Sequence, residues 1–208
     1  MQSFDIDGTL IDSNGIWKDV DTAFLAKRGL PYTKEYYEGV AHTIFPLAAR
    51  FTKEFCHLSE SEEAIMAEWM DMAGDLYGTS VPVKPGVREY LEKLRSAGER
   101  MIVVTSAVPV HCRTALDHLG LTPYFERIIF AQELHREKKV PQLWHLSAEL
   151  MRVKPEDCTL YDDSVEACRG ARAAGMRAVG VFDPFFAGTE PEMRAVCDRY
   201  IRSFDELL

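Results

Sequence analysis

The chain has 208 residues, of which 47% are hydrophobic and 27% charged, so it can bury a core and is neither disordered nor collagen-like. Acidic residues outnumber basic residues by 33 to 24, and the formal net charge of -9 argues against electrostatic binding to nucleic acid or to an anionic membrane surface. The apolar stretches are far shorter than the roughly 18 residues that a membrane span needs. Because no signal-peptide pattern is visible, we expect a cytoplasmic protein.

From about residue 85 onward, helix-like and strand-like segments alternate as they do in an α/β protein. Short continuous apolar runs are typical of strands that are covered on both faces. Such runs occur at Met101 to Val104, Ile128 to Phe130, Thr159 to Tyr161 and Ala178 to Val181. They predict a doubly wound parallel sheet with a Rossmann-like core, in which ligands bind beyond the carboxyl ends of the strands.

The segment from residue 15 to residue 81 has a different pattern. It contains no comparable strand run, and its apolar residues recur at helical spacing. Pro82 and Pro85 then interrupt the helical pattern and favour an extended connection. We therefore predict an α/β domain made of residues 1–14 and 82–208, with an all-helical domain of residues 15–81 inserted into it.

The most informative segment is Phe4-Asp5-Ile6-Asp7-Gly8-Thr9-Leu10. If Phe4 to Ile6 ends a strand, Asp5 and Asp7 point to the same side of it. Two carboxylates so close together raise each other's pKa unless a cation compensates, which predicts either a divalent metal or one protonated acid. Gly8 permits a sharp departure from the strand and a close approach of backbone N–H groups to a ligand.

This segment resembles the first motif of the haloacid dehalogenase superfamily, an apolar strand that ends in D-x-D-G-T. Three further motifs of that family have counterparts here, in family order. Thr105 follows an apolar run, as the second motif requires. Lys138 has the spacing of the third motif to a proline and an aromatic residue, and Lys139 is the alternative. Asp162 and Asp163 form the acidic pair of the fourth motif.

The resemblance implies a magnesium-dependent phosphotransfer reaction. Asp5 would be the nucleophile that forms an aspartyl-phosphate, and Asp7 would protonate the leaving oxygen and then accept a proton from water. Magnesium is a hard cation that suits a set of oxygen ligands. Its protein ligands would be Asp5, the backbone carbonyl of Asp7, Asp163 and, as a further ligand, Asp162.

The resemblance also implies a phosphate site. Thr105 would donate a hydrogen bond to a phosphoryl oxygen, and Lys138 would neutralise the charge on it. Backbone N–H groups near Gly8 and Ser106 would complete the site. These local donors would allow a net-acidic protein to bind a small phosphorylated metabolite.

The helical insertion resembles the family's cap domain, which closes over the site and sets specificity. Trp17 and His42 are the candidate substrate contacts in it. Dehalogenases of the superfamily lack the acid at the place of Asp7, so its presence favours a phosphatase. Two alternatives remain open, a phosphomutase similar to β-phosphoglucomutase and a catalytically inactive protein that binds a phosphorylated metabolite.

Overall fold

The computed structural model describes residues 1–40 and 45–208. The chain divides into two compact units, one formed by Met1–Asn14 with Val81–Leu208 and the other by Gly15–Ser80. Val81, predicted to end the helical segment, belongs to the first unit. In the two described ranges, no helix is both long enough and apolar enough to cross a bilayer.

The first unit is built on a parallel sheet of six strands. The strands are β1 (Gln2–Phe4), β2 (Met101–Thr105), β3 (Arg127–Phe130), β4 (Thr159–Asp162), β5 (Arg177–Val181) and β6 (Arg199–Ile201). Their order across the sheet is β3-β2-β1-β4-β5-β6, so β1 lies between β2 and β4. This topology confirms the predicted α/β class. The four predicted runs correspond to β2, β3, β4 and β5, and each observed strand is one residue longer.

The second unit consists of helices, and a separate set of helices packs on the sheet of the first unit. The helices of the second unit are α1 (Ile16–Ala26), α2 (Lys34–Val40), α3 (Phe45–Phe55) and α4 (Glu62–Thr79). Those of the first unit are α5 (Val87–Ser96), α6 (Pro109–His118), α7 (Pro141–Leu150), α8 (Val165–Ala173) and α9 (Glu190–Val196). Short 3-10 turns complete the connections between them.

The sheet is buried on both faces because successive side chains of each strand point to opposite sides. On one face, the buried Leu160 of β4 packs in a core with Leu143 and Trp144 of α7. On the other face, Tyr161 stacks on Phe4 with ring centroids 4.6 Å apart. Cover on both faces explains why the strands of this sheet are short apolar runs rather than alternating sequences.

The second unit buries a polar network among its helices. Tyr36 of α2 is fully buried, and its hydroxyl lies 3.2 Å from Asp21 of α1 and 2.9 Å from Thr52 of α3. Burial raises the pKa of Asp21 to about 6, although the hydrogen bond from Tyr36 opposes the shift. A buried network of this kind holds three helices together at one point.

Candidate active site

Three carboxylates meet at the carboxyl ends of β1 and β4. Asp5 follows β1 directly, and its amide N–H still donates to the carbonyl of Tyr161 in β4, 3.0 Å away. Asp162 is the last residue of β4, and Asp163 follows it. One oxygen from each carboxylate lies within 4.8 Å of the others, and no more than 5% of any of the three residues is exposed. The parallel sheet therefore gathers acidic residues from distant parts of the sequence.

Lys138, in the connection between β3 and α7, supplies a cation to this cluster. Its Nζ lies 2.8 Å from Oδ1 of Asp5 and 2.7 Å from Oδ2 of Asp162. Burial alone would lower the pKa of the Lys138 ammonium, but the charges of Asp162 and Asp5 reverse that effect and raise it above its usual value. Lys139, the predicted alternative, has an exposed side chain that pairs with Glu137. Lys138 is therefore the lysine at the acidic cluster.

Both oxygens of Asp163 accept hydrogen bonds from the chain that follows β1. The hydroxyl of Thr9 donates to Oδ1 over 3.2 Å, and the side-chain amide of Asn14 donates to Oδ2 over 2.9 Å. Gly8 lies beneath this arrangement with a φ of 72°, and an added Cβ there would overlap both Asn14 and Asp163. Only glycine allows this backbone to pass so close to the carboxylate.

The triad carries more negative charge than Lys138 can offset. Burial raises the pKa of Asp162 and of Asp163 well above their usual values, and the charge of Asp5 adds to both shifts. Three converging carboxylates are a hard, all-oxygen donor set that suits Mg²⁺, and a bound divalent cation would supply the missing positive charge. The residues present therefore fit the predicted ion.

One oxygen of the triad has no polar partner in the described parts of the chain. Oδ1 of Asp5 and Oδ2 of Asp162 pair with Lys138, and Oδ1 of Asp162 accepts the amide N–H of Ser164 over 2.9 Å. Thr9 and Asn14 occupy the oxygens of Asp163. Oδ2 of Asp5 remains, so this atom is available to a cation or a substrate.

The other predicted site residues of the first unit have distinct surroundings. β1 ends at Phe4, so Asp7 lies beyond the strand and just before the turn, where its Oδ1 accepts the hydroxyl of Ser13 over 2.5 Å. Thr105 ends β2 and is buried, and its Oγ1 accepts the amide N–H of Ala107 over 3.0 Å. Its hydroxyl hydrogen is not used in that bond. Ser106, next to it, is exposed.

The amide of Gly8 differs from the predicted phosphate donor. Its N–H donates to the carbonyl of Ile11 over 2.9 Å, within the turn that follows Asp7. The hydrogen bond closes the tight turn, so this particular N–H is already used. The close approach that Gly8 makes possible serves the contact between Asn14 and Asp163.

Trp17 and His42 were predicted as substrate contacts in the helical insertion. Trp17 lies on α1 and is 37% exposed, and its ring packs edge-on against Phe45, with centroids 5.4 Å apart. His42 lies outside the described residues.

Two polar residues near the cluster were not predicted from the sequence. Asn14 contacts Asp163 across 149 residues of sequence. Lys84, in the connection that returns to the first unit, donates to the carbonyl of Gly8 over 2.6 Å and pairs with Asp183 over 3.0 Å. Neither residue belongs to a recognisable motif, and only the folded sheet brings them to their partners.

Buried carboxylates beside a lysine lie here at the carboxyl ends of parallel strands, where α/β folds bind their ligands. The sequence matches the haloacid dehalogenase-like hydrolase family over residues 3–175, so the chain belongs to that family. The predicted family and the predicted class of enzyme, a hydrolase, are thereby confirmed.

The relatives of this chain include phosphatases of bacterial origin. It is 23% identical over 176 residues to the phosphorylated carbohydrates phosphatase of Thermotoga maritima, covering 85% of this chain and 82% of that protein. It is 27% identical over 191 residues to a GMP/IMP nucleotidase of Escherichia coli, covering 86% and 82% of the two chains. A solved structure from Thermotoga maritima, provisionally named a β-phosphoglucomutase, matches with a TM-score of 0.89 and 22% identity, covering 100% of this chain and 95% of the other. That structural match supports the fold.

Proposed function

We propose that this protein is a Mg²⁺-dependent phosphatase that hydrolyses a small phosphate monoester through an aspartyl-phosphate at Asp5. The observation that carries the proposal is that the two oxygens of the Asp5 carboxylate differ in their polar partners. Lys138 holds Oδ1 of Asp5, while Oδ2 has no polar partner in the described residues. The Asp5 carboxylate as a whole converges with those of Asp162 and Asp163. A nucleophile needs such a fixed carboxylate with one oxygen free to attack.

In the first step, Oδ2 of Asp5 attacks phosphorus in line with the leaving oxygen. The bond between phosphorus and the leaving oxygen breaks, and Asp7 gives that oxygen a proton. In the second step, a water molecule attacks phosphorus and gives a proton to Asp7, and the bond to Asp5 breaks. The hydrogen bond from Ser13 orients Asp7 for both proton transfers.

The remaining groups bind the phosphoryl group and offset its charge. Lys138 keeps its proton beside two carboxylates, so it carries positive charge into the step in which negative charge develops. The hydroxyl of Thr105, at the end of the neighbouring strand, donates to a phosphoryl oxygen. The exposed Ser106 offers its backbone N–H at the same strand end.

Asp5, Asp162 and Asp163 would hold the Mg²⁺ ion with their side chains, and Asp7 with its backbone carbonyl. When bound, the ion supplies positive charge that stabilises the phosphoryl oxygens and favours the ionised form of the acidic ligands. The excess negative charge of the triad supports this assignment.

We assign substrate selection to the helical unit of residues 15–80, which would act as the cap. Phosphatases among the relatives are named for phosphorylated carbohydrates and for nucleoside monophosphates, so their leaving groups differ while the family is shared. The substrate class proposed here is correspondingly a small phosphorylated metabolite.

The proposal is tested by hydrolysis of p-nitrophenyl phosphate with Mg²⁺ and with EDTA. We expect turnover only with Mg²⁺, and a loss of at least about 1,000-fold in kcat for Asp5→Asn. The exposed Asp75 of α4 offers a matched control, and Asp75→Asn should retain the wild-type rate. Wild-type protein that binds Mg²⁺ without any turnover on a panel of phosphate monoesters would contradict the proposal and favour a binding protein.

The intermediate and the mutase alternative need separate measurements. With p-nitrophenyl phosphate, whose leaving group departs without a proton donor, Asp7→Asn slows mainly the loss of the phosphoryl group from Asp5. Acid quenching should then leave that group on the peptide that contains Asp5, as detected by mass spectrometry. Incubation with a hexose 1-phosphate and its bisphosphate should release free phosphate faster than any isomer. Faster appearance of the isomer would identify a phosphomutase.

A further inference from the structure

We propose that Asn14 is a positioning residue that makes the acidic site selective for Mg²⁺ over Ca²⁺, an inference that rests on the proposed function. Asn14 is the last residue of the first unit before the helical insertion begins. It belongs to none of the motifs that predicted the site, yet its side chain reaches one of the three clustered carboxylates.

The geometry fixes the rotation of the Asp163 carboxylate. Thr9 donates to one oxygen over 3.2 Å and Asn14 to the other over 2.9 Å. A carboxylate with a donor on each oxygen cannot turn about its last bond without losing a hydrogen bond. Asp163 is 5% exposed and Thr9 fully buried, so water cannot easily replace the donor on that side.

Gly8 shows that close packing produces this arrangement. A Cβ at residue 8 would overlap both the Asn14 amide nitrogen and Oδ2 of Asp163. The backbone of Gly8 therefore packs directly against both the Asn14 amide and the Asp163 carboxylate. This close packing leaves Asn14 little freedom to make a different contact.

A fixed carboxylate favours the smaller ion. Mg²⁺ demands near-ideal octahedral geometry and short bonds, whereas Ca²⁺ accepts six to eight oxygens in a flexible arrangement that includes two oxygens from one carboxylate. Loss of the Asn14 hydrogen bond would free Asp163 to rotate. The affinity for Mg²⁺ would fall, because Asp163 would no longer be held in the orientation that octahedral coordination needs. Ca²⁺ would lose less affinity, because it can bind the carboxylate in other orientations.

The role of Asn14 in selectivity is tested by isothermal titration calorimetry of the full chain with MgCl₂ and with CaCl₂. For Asn14→Ala, we expect the affinity for Mg²⁺ to fall about tenfold or more and that for Ca²⁺ by less than about threefold. The serine side chain of Asn14→Ser is too short to reach Asp163, so this variant should show the same change in the ratio of Mg²⁺ affinity to Ca²⁺ affinity. It replaces Asn14→Ala in the experiment if the alanine variant is unstable. Thermal unfolding in EDTA verifies that each variant is folded.

Gly15→Ala is the matched control. A Cβ at Gly15 meets no atom within 4 Å, so this change alters the adjacent residue without touching Asp163, and both affinities should stay at the wild-type values. Equal loss of both affinities in folded Asn14 variants, or no loss, would overturn the inference and leave the phosphatase proposal standing. Wild-type protein that binds no Mg²⁺ would overturn both.

Discussion

Lys138 and Lys139 are neighbours in the sequence with opposite environments. The Lys138 ammonium lies between Asp5 and Asp162 with 10% of its side chain exposed, whereas more than half of the Lys139 side chain is exposed. Replacement of Lys138 by methionine leaves two buried carboxylates facing each other without a cation. We expect Lys138→Met to lose about 3–5 kcal/mol of unfolding free energy in EDTA, measured by urea denaturation.

Mg²⁺ and the neighbouring lysine provide the controls for this prediction. Added Mg²⁺ should restore part of the lost stability, because a cation among the carboxylates replaces the missing ammonium charge. Lys139→Met breaks only an exposed ion pair and should change stability by less than about 1 kcal/mol. Similar losses in the two variants would show that Lys138 does not compensate the acidic cluster.

At the scale of single residues, the sequence identified the groups that belong to motifs and missed those that do not. Asp5, Lys138 and Asp163 follow strands in a recognisable order, so their convergence could be predicted from a parallel topology. The contact of Asn14 with Asp163 spans 149 residues, and no local pattern marks it. Side-chain contacts of this kind depend on the final packing of loops, which a one-dimensional pattern does not contain.

Two connections of the first unit are joined through Lys84. Its ammonium donates to the carbonyl of Gly8 over 2.6 Å, to that of Phe182 over 2.7 Å, and to Asp183 over 3.0 Å. Asp183 is 3% exposed. Lys84→Met leaves this carboxylate buried and unpaired, so we expect a loss of about 3–5 kcal/mol in urea denaturation, together with a lower kcat as the turn at Gly8 loosens.

The partner residue and an exposed lysine make this test specific. Asp183→Asn in the Lys84→Met background removes the unpaired charge and should recover part of the stability. Lys154→Met, which removes an exposed side chain 3.9 Å from Glu156, should have almost no effect. Additive losses in the double variant would show that the two residues do not interact.

The loop that contains Lys138 packs closely against α8 at Gly170. Trp144 of α7 donates to the carbonyl of Lys138 over 2.8 Å, and an added Cβ at Gly170 of α8 would overlap that same carbonyl. We expect Gly170→Ala to destabilise the protein by about 1–3 kcal/mol and to lower kcat, because the loop must shift and take Lys138 with it. Thermal unfolding and p-nitrophenyl phosphate hydrolysis measure the two effects.

Gly188→Ala is the reference for that experiment. A Cβ at Gly188 meets nothing within 4 Å, so stability and kcat should remain close to the wild-type values. A Gly170→Ala protein with wild-type kcat would show that the loop tolerates the displacement.

Elements were predictable where burial on both faces produced a continuous apolar run. β2 to β5 have this property, and their predicted positions agree with the structure to within one residue. β6 was not predicted, because Arg199–Ile201 is a three-residue strand at the edge of the sheet with an exposed first residue. β1 ends at Phe4 rather than at Ile6, and the turn that contains Gly8 follows a few residues later.

At the scale of the whole molecule, the parallel class could be predicted and the polar interior of the helical unit could not. Alternating segments restrict the first unit to few topologies. In the second unit, helical spacing marks apolar positions and says nothing about Asp21, which lies next to the buried Tyr36 hydroxyl. The pairing depends on how α1 and α2 pack, so it became visible only in the structure.

Asp21 gives the helical unit a stability that depends on pH. Its pKa is about 6 in the folded unit, against 3.8 as the ordinary value. Well below pH 3.8, Asp21 is protonated in both the folded and the unfolded chain. The folded chain holds this proton more tightly than the unfolded chain does, and it gives the proton up as the pH rises through 6. Stability contributed by the protonated acid is therefore lost across this window, by about 1–2 kcal/mol once solvent screening of a partly exposed carboxylate is considered.

Asp21→Asn removes this titration and keeps an oxygen that accepts the Tyr36 hydroxyl. Hydrogen exchange of α1 and α2 amides should show the variant more protected than wild type at pH 8 and equally protected near pH 4, because only the ionised acid is costly to bury. Asp71→Asn, at an exposed position of α4, should leave the difference between the two pH values unchanged. Greater protection of wild type at pH 8 would mean that the ionised Asp21 stabilises the unit through its bond with Tyr36, and that burial costs less than this bond contributes.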